Sequence, residues 1–482
     1  MALEFAFFTP RREGQPAVHS KEFNSRGMIL EMNLSAIVKK RALEAGFDLV
    51  GIAPASAWCD LEFSRRWVEA GYGGEMSYLA NPKREDPRRI LPSVQSIICV
   101  GLIYNARLPY STEIKEATGR GQPANRAPQT PESIRPGTLK DSDCESKSPK
   151  PEPCGWISRY AWGKDYHRIM RTRLEQLRKD LEALHQDTET RVYVDTGPVV
   201  ERAFARYSGI GWMGKNTCLI NERRGSWFFL GVILTNLILT PDLPAPDRCG
   251  SCTRCLEACP TGALMKPYVM DASRCIAYFT IELKGSIPEE FRPAIGSNVF
   301  GCDICQDVCP WNSPLKSAQD AAISPRQEAR RSAVTTDQPE FQPLEIEISA
   351  CKSINDETDV REPGKSQGFD NPHLEPTRVS LFNPPLRALS SMSEEDFRKT
   401  FAHSPVKRAK YRGWLRNLCV VMGNSGDRRF MPWLERMAHH PEAVVREHAQ
   451  WALERLAKQK IARSAASGNR MVGDLNVRED GS

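Results

Sequence analysis

The sequence has no apolar run long enough to cross a membrane. The longest, Phe228 to Leu239, is broken by Thr235 and Asn236 and falls well short of the ~18 residues that a span requires. It reads as a buried strand, and no membrane association is expected. No basic residue precedes the short apolar patch near the start, and no cleavage site follows it, so the order of a secretory signal is missing. Residues 1–28 are expected to form a disordered leader, with Met28 and Met32 as alternative starts because patterned sequence begins after them. A strong excess of one charge is also lacking: 66 basic residues face 60 acidic ones, for a net charge of +6. That balance permits a nucleic-acid partner without requiring one, and the placement of the charge matters more than its total. An even set of cysteines is missing too. There are 15, an odd number, and eight of them crowd between Cys249 and Cys309. This argues against a secreted disulfide framework and for metal ligation in a reducing compartment, the cytoplasm. A chain of 482 residues can bury ample core without disulfides and is expected to form two or three domains, as a monomer.

From residue 29 to about 240, helical and strand-like segments alternate, which implies an α/β or α+β domain. Leu34, Ile37, Val38, Ala42 and Leu43 recur at helical spacing before a stop at Gly46, and Met170, Leu174, Leu177, Leu181 and Leu184 mark one face of a second helix. Leu49–Ile52, Ile97–Ile103, Arg191–Val194 and Phe228–Leu234 read as strands. Two stretches, 107–155 and 313–371, are rich in Pro, Gly, Ser and mixed charge and lack apolar periodicity. They are expected to be flexible insertions, and Cys144, Cys154 and Cys351 within them carry no assigned chemistry. A helical pattern returns over 372–460, with breaks at Gly423-Asn424 and His440-Pro441, and looks like one or two HEAT-type repeats. Residues 461–482 are expected to be a disordered tail.

The region 241–312 carries the strongest signal. Cys249-x2-Cys252-x2-Cys255-x3-Cys259-Pro260 is the complete bacterial ferredoxin run. The close spacing lets three thiolates wrap one cubane, while the fourth is carried by the turn at Pro260 to a neighbouring one. A second run, Cys302-x2-Cys305-x3-Cys309-Pro310, lacks its first member, because Val299 stands where a cysteine belongs; Cys275 is the substitute. The exchange rule then gives one 4Fe–4S cluster to Cys249, Cys252, Cys255 and Cys309, and a second to Cys259, Cys275, Cys302 and Cys305. Zinc also binds Cys-x2-Cys pairs, but rarely through such a run. Cys99, Cys218 and Cys419 sit in apolar contexts and read as core residues.

No acidic residue occurs between Asp396 and Asp427, where Arg398, Lys399, Lys407, Arg408, Lys410, Arg412 and Arg416 are interleaved with Tyr411 and Trp414. Charge of one sign over a helical surface suits a phosphate backbone, whereas a merely solvated face usually carries both signs. Lys407, Arg408, Lys410, Arg412 and Arg416 are the candidate RNA contacts. Five phosphate contacts would give a log–log salt slope of roughly −3.5 to −4.5.

Three further motifs carry a resemblance: Arg159-Tyr160-Ala161-Trp162-Gly163-Lys164-Asp165-Tyr166-His167, Val194-Asp195-Thr196-Gly197-Pro198-Val199-Val200-Glu201-Arg202, and Gly209-Ile210-Gly211-Trp212-Met213-Gly214-Lys215-Asn216-Thr217. Together with the cysteine runs and Val445–Leu453, they make the chain from about Leu34 to Leu456 resemble the epoxyqueuosine reductases, which complete queuosine in tRNA. The resemblance implies an α/β domain that holds cobalamin over the ferredoxin-like module, and a helical tail that binds the tRNA anticodon stem-loop. It also implies an external low-potential donor such as flavodoxin or ferredoxin. Asp195 matches the family's proton donor; read alone, it is first a cap of the following helix. Burial against the corrin would have to raise it from the free value of ~3.9 for a carboxylic acid. Tyr160, Trp162, Tyr166, His167, Gly211, Gly214, Lys215 and Asn216 are candidate cobalamin or substrate contacts, with equal claims as core or tight-turn residues. His167 is not assigned to cobalt, because the family holds its cobalamin without a protein histidine. Two other readings stay open: a corrinoid reductase of a small molecule, on the plan of the reductive dehalogenases, and a non-catalytic electron carrier.

Overall fold

The computed structural model describes residues 25–56, 58–117, 152–184, 187–312, 334–348 and 377–472. The expected leader up to residue 24, most of both insertions with Cys144 and Cys351, and the tail from 473 lie outside them. Helix α1, Ser25–Glu44, begins inside the leader's expected bounds. It stops where Gly46 takes a positive φ of 87°, a conformation that glycine adopts without strain.

Four strands form the central sheet: β1 Leu49–Pro54, β2 Ser96–Ile103, β3 Thr190–Tyr193 and β4 Phe228–Thr235. They lie in the order β1-β2-β4-β3, and every neighbouring pair is antiparallel. The fold is mixed α and β, and of the two forms expected the sheet is that of an α+β domain. All eight residues of β2 are buried, which explains its continuous apolar sequence: both faces are covered, so no polar alternation is needed. Side chains of a strand alternate between faces. Accordingly Ile98, Val100 and Leu102 pack with Val38 and Ala42 of α1 and with Met170, Leu174, Leu177 and Leu181 of α2, Tyr166–Leu184. Each such burial contributes about 1.5–3 kcal/mol. Leu184, expected on the same stripe, is exposed at the helix end. Ile97, Cys99 and Ile103 face the other way, onto Ala203, Phe204 and Ala205 of α3, Glu201–Tyr207.

A third core lies under the C-terminal helices α4 Lys410–Ser425, α5 Met431–Met437 and α6 Ala443–Val472. Just before them, Ser393 caps the helix Glu394–Thr400 through a reciprocal box with Asp396. Trp414, Leu418 and Val421 of α4 share this core with Phe279, Ile295 and Val299 from the cysteine region and with Trp156 and Ile157. Buried Asn417 ties the parts together, donating to Thr280 O and Val299 O at 2.9 Å each.

Both insertions are narrower than the composition implies. Tyr110 and Ser111 are buried, and the Leu108 and Pro109 carbonyls accept from Arg159. Segment 334–348 buries Phe341, Ile346 and Ile348, and its strand Glu345–Ile348 pairs antiparallel with Thr377–Ser380. Alternating Glu345-Ile346-Glu347-Ile348 is a period-2 signal masked by its polar surroundings.

Candidate active site and cluster module

The loop Cys249–Cys259 is shaped by its own backbone. Gly250 has a φ of 52°, Cys252 N donates to Cys249 O at 3.2 Å, and the short helix Arg254–Ala258 carries Cys255. Cys218 neighbours members of both expected sets, Cys309 in one and Cys275 and Cys305 in the other, so proximity alone does not separate the two sets. Cys255 faces Cys249 and Cys252, and Cys309 faces Cys249 and Cys255. Cys275 faces Cys259, and Cys305 faces Cys302 and Cys275. No described cysteine forms a disulfide. Among the described residues, no three Cys, His, Asp or Glu side chains gather closely enough to hold a single metal ion; a cubane carries its thiolates on separate corners. Burial pushes Cys255 up to about 11 and Cys309 up to about 12, so a positive centre is needed to hold them as thiolates. Between Cys302 and Cys305, buried Asp303 accepts from Trp156 Nε1 at 3.0 Å and Arg159 N at 2.9 Å, which fixes the second loop.

The expected cofactor contacts at Gly211, Gly214, Lys215 and Asn216 are held elsewhere. Lys215 Nζ donates to Gly250 O at 2.6 Å and Cys252 O at 2.9 Å, and Asn216 Nδ2 donates to Cys305 O at 3.1 Å. A Cβ on Gly211 would lie 2.3 Å from Ile220 O, and one on Gly214 would lie 2.5 Å from Ile220 Cδ1. These glycines admit a hairpin and the two polar residues clamp the cysteine loops. Trp162 is likewise a core residue, fully buried, its Nε1 donating to Ile157 O at 2.6 Å.

Asp195 follows β3 with a φ of 55°, a strained value for a residue with a Cβ. Tyr166 Oη donates to its Oδ2 at 2.9 Å, and His167 Nε2 lies 3.3 Å from the same oxygen. Asp195 N in turn donates to Glu201 Oε1 at 2.7 Å, and Arg84 Nη1 donates to Gly197 O at 3.2 Å. His167 Nδ1 meets Asp165 Oδ1 at 2.7 Å, and Lys407 Nζ reaches Asp165 Oδ2 at 3.1 Å. The charge order runs Lys407, Asp165, His167, Asp195. The carboxylate of Asp195 keeps 54% of its side-chain surface open while protein crowds its other side.

Burial drives Asp195 upward, but the His167 and Tyr166 hydrogen bonds and the Arg408 charge outweigh it, and its pKa is lowered. The expected rise depended on burial against a corrin; the protein's own groups by themselves act in the opposite direction. Burial lowers His167, yet the bonds to Asp165 and Asp195 raise it to about 9. Asp165 is held down at about 2, its burial outweighed by His167 and Lys407. Burial, reinforced by the nearby Asp195 charge, raises Glu201 to about 8. Glu201, Asp165 and Arg84 are site residues that the sequence reading missed, although the first two lie within the quoted motifs.

The basic stretch divides. Arg416 is buried and donates to Leu283 O at 2.8 Å and Gly285 O at 2.7 Å, so it is a structural staple and not an RNA contact. Arg408 pairs with Glu282 at 2.6 Å and lies over the Tyr78 ring at 5.7 Å. Lys407 and Arg408 thus border the Asp195 site. Lys410 is exposed, and Arg412 lies a loose 3.7 Å from Glu442 with 44% of its side chain open.

Residues 139–196 match the family model described as epoxyqueuosine reductase QueG, DUF1730, and residues 248–312 match a 4Fe-4S double cluster binding domain. The chain is 36% identical over 429 residues to an epoxyqueuosine reductase of Pseudomonas aeruginosa, covering 88% of this chain and 94% of the relative. It is 33% identical over 438 residues to one from Escherichia coli, covering 90% and 92%. A crystal structure of an epoxyqueuosine reductase with an epoxyqueuosine-modified tRNA-Tyr stem loop superposes with a TM-score of 0.63 at 28% identity, over 88% of this chain and 90% of that one. The Streptococcus thermophilus enzyme gives 0.62 at 26% identity, over 89% and 91%.

Proposed function

Because the chain belongs to the epoxyqueuosine reductase family, we propose that it reduces the epoxide of epoxyqueuosine in the anticodon loop of tRNA to give queuosine. The two cysteine sets would hold two 4Fe–4S clusters, which would supply low-potential electrons drawn from an external donor such as flavodoxin or ferredoxin. The observation that carries this reading is the junction at Asp195: an acid–base set at the end of the sheet, bordered by Lys407 and Arg408 of the helical tail and linked to the cluster loops. The link runs through α3, where Glu201 holds Asp195 N and Arg202 Nη1 donates to Thr217 O at 2.7 Å. Next to Thr217, Asn216 reaches Cys305.

The donor set fits cobalamin. Both ring nitrogens of His167 are engaged by carboxylates, and Arg84 Nε is buried beside the Asp195 loop with no partner among the described residues. Arg84, Tyr78 and Tyr166 would hold the group, which supplies a strongly reducing metal centre when bound. Converting the epoxide to an alkene and water takes two electrons and two protons. At neutral pH the protons stand on His167, raised to about 9, and on Glu201, raised to about 8. Asp195 lies between them and passes the His167 proton to the departing oxygen, and Glu201 supplies the second proton that completes the water. Glu201 keeps Asp195 pointed into the site. Exposed Lys410 and Arg412, a few residues along the tail from Lys407 and Arg408, suit a polyanion better than a small halogenated molecule. The helices α4 to α6 act as a HEAT-like tRNA platform. No helix among the described residues is long and apolar enough to cross a membrane, and a tRNA substrate places the work in the cytoplasm.

Anaerobic purification with cobalamin supplied should yield about eight irons and one cobalt per chain. Asp195→Asn should keep both and lose turnover on epoxyqueuosine-containing tRNA. Wild-type turnover in that variant would remove Asp195 as the acid, and iron without cobalt would return the chain to the class of electron carriers.

A further inference from the structure

The hairpin of Trp212–Met213 and Leu219–Ile220 is fastened to the first cysteine loop, because Lys215 in its turn holds the Gly250 and Cys252 carbonyls. Trp212 is fully buried, and its Nε1 has no hydrogen-bond partner among the described residues. An indole nitrogen can only donate, and a sealed donor without an acceptor is a net cost to folding. The surroundings of the ring narrow the choice of acceptor. Trp212 forms a small cluster with Ile220 and Cys309, against which Cys249 and Trp311 pack. Ile220 has no side-chain acceptor. Trp311 meets the Trp212 ring at 78° with centroids 4.9 Å apart and offers only a π face. Cys249 and Cys309 come from the two separate cysteine runs, yet the exchange rule expects them on the same cluster. Cys275 and Cys302 of the second set pack instead against the core under the tail helices. The orphaned N–H is thus enclosed with thiols of one ligand set only.

We propose that the Trp212 indole N–H donates to a sulfur of the cluster that Cys249 and Cys309 would hold, and raises the reduction potential of that cluster alone. This rests on the two-cluster reading above. Reduction adds one negative charge to a cluster. A hydrogen bond to its sulfur disperses that charge, so the reduced form is favoured. The loop that bears Cys249 is also the more open of the two: Ser251, Thr253 and Arg254 are exposed, whereas Asp303 and Ile304 between Cys302 and Cys305 are buried. An external donor therefore meets this cluster first, and a raised potential here widens the range of carriers able to reduce it.

The test is potentiometry of the cluster-loaded full chain, followed by electron paramagnetic resonance. Trp212→Phe keeps a buried ring and removes the donor. One midpoint should move negative, lowering the reduced-to-oxidised ratio at fixed potential about tenfold, which is about 59 mV for one electron. The other midpoint and the iron content should stay at wild-type values. In reduced wild-type chain carrying nitrogen-15 in its indoles, pulsed resonance should detect a nitrogen coupled to a cluster, and Trp311→Phe should retain that coupling. Unchanged midpoints in a Trp212→Phe chain that keeps its iron would overturn the proposal, as would loss of the coupling in Trp311→Phe. If Trp212→Phe fails to load iron, the wild-type coupling decides: its absence would leave Trp212 as packing only. A wild-type chain without two clusters would overturn the cluster reading beneath it.

Discussion

Burial alone would push Asp195 toward the neutral acid, and the hydrogen bonds from His167 and Tyr166 reverse that direction. In the proposed mechanism the working proton therefore resides on the imidazole. His167 is raised from 6.5 to about 9, so its protonated form contributes fully below the unfolded value and is lost as pH rises through about 9. Single-turnover reduction by pre-reduced enzyme should fall over that same window. His167→Gln should be slower and should lack the alkaline limb; an unchanged profile would place the proton elsewhere. Asp195 itself was legible as a polar residue ending a strand before Gly197-Pro198. Its ionisation was not, because Tyr166, His167 and Arg408 reach it only through the fold.

On the scale of an element, the stretch Lys407–Arg416 shows what charge counting sees and what it misses. The run without acids is real, but its residues have three destinations. Arg416 goes inward to carbonyls, Lys407 and Arg408 turn to Asp165 and Glu282, and Lys410 and Arg412 remain outward. Helical periodicity alone would have placed Arg416 on the buried stripe with Leu415, Leu418 and Cys419. Replacing Lys410 and Arg412 with Ala should flatten the log–log salt dependence of tRNA binding by roughly 1.4–1.8, at about 0.7–0.9 for each phosphate contact. A slope equal to wild type would move the RNA surface off this turn.

Across the whole molecule, the sheet and its two covered faces were largely readable. Ile97–Ile103 and Phe228–Leu234 are apolar throughout and pair over their full length. Their antiparallel direction was not readable, since alternating helices and strands fit either sense. The union of tail and cysteine region was hidden for a different reason: it depends on buried polar residues that look solvent-facing in a sequence. Arg416→Ala would leave the carbonyls of Phe279, Leu283 and Gly285 without their donor. The loss should be on the order of 3 kcal/mol in urea unfolding, with no change in the salt slope of tRNA binding. A stability within error of wild type would mean that water replaces the guanidinium.

That union also sets an order of events at the ribosome. Synthesis delivers all eight cluster cysteines before α4 and α6 exist. Until those helices emerge, Phe279, Ile295, Val299 and Phe300 lack the cover that Trp414, Leu418 and Val421 later provide. Iron delivery to the nascent chain therefore either meets an uncovered apolar flank or waits for translation of the tail. Any messenger cut short before α4 encodes a product with its full complement of ligands and an aggregation-prone side.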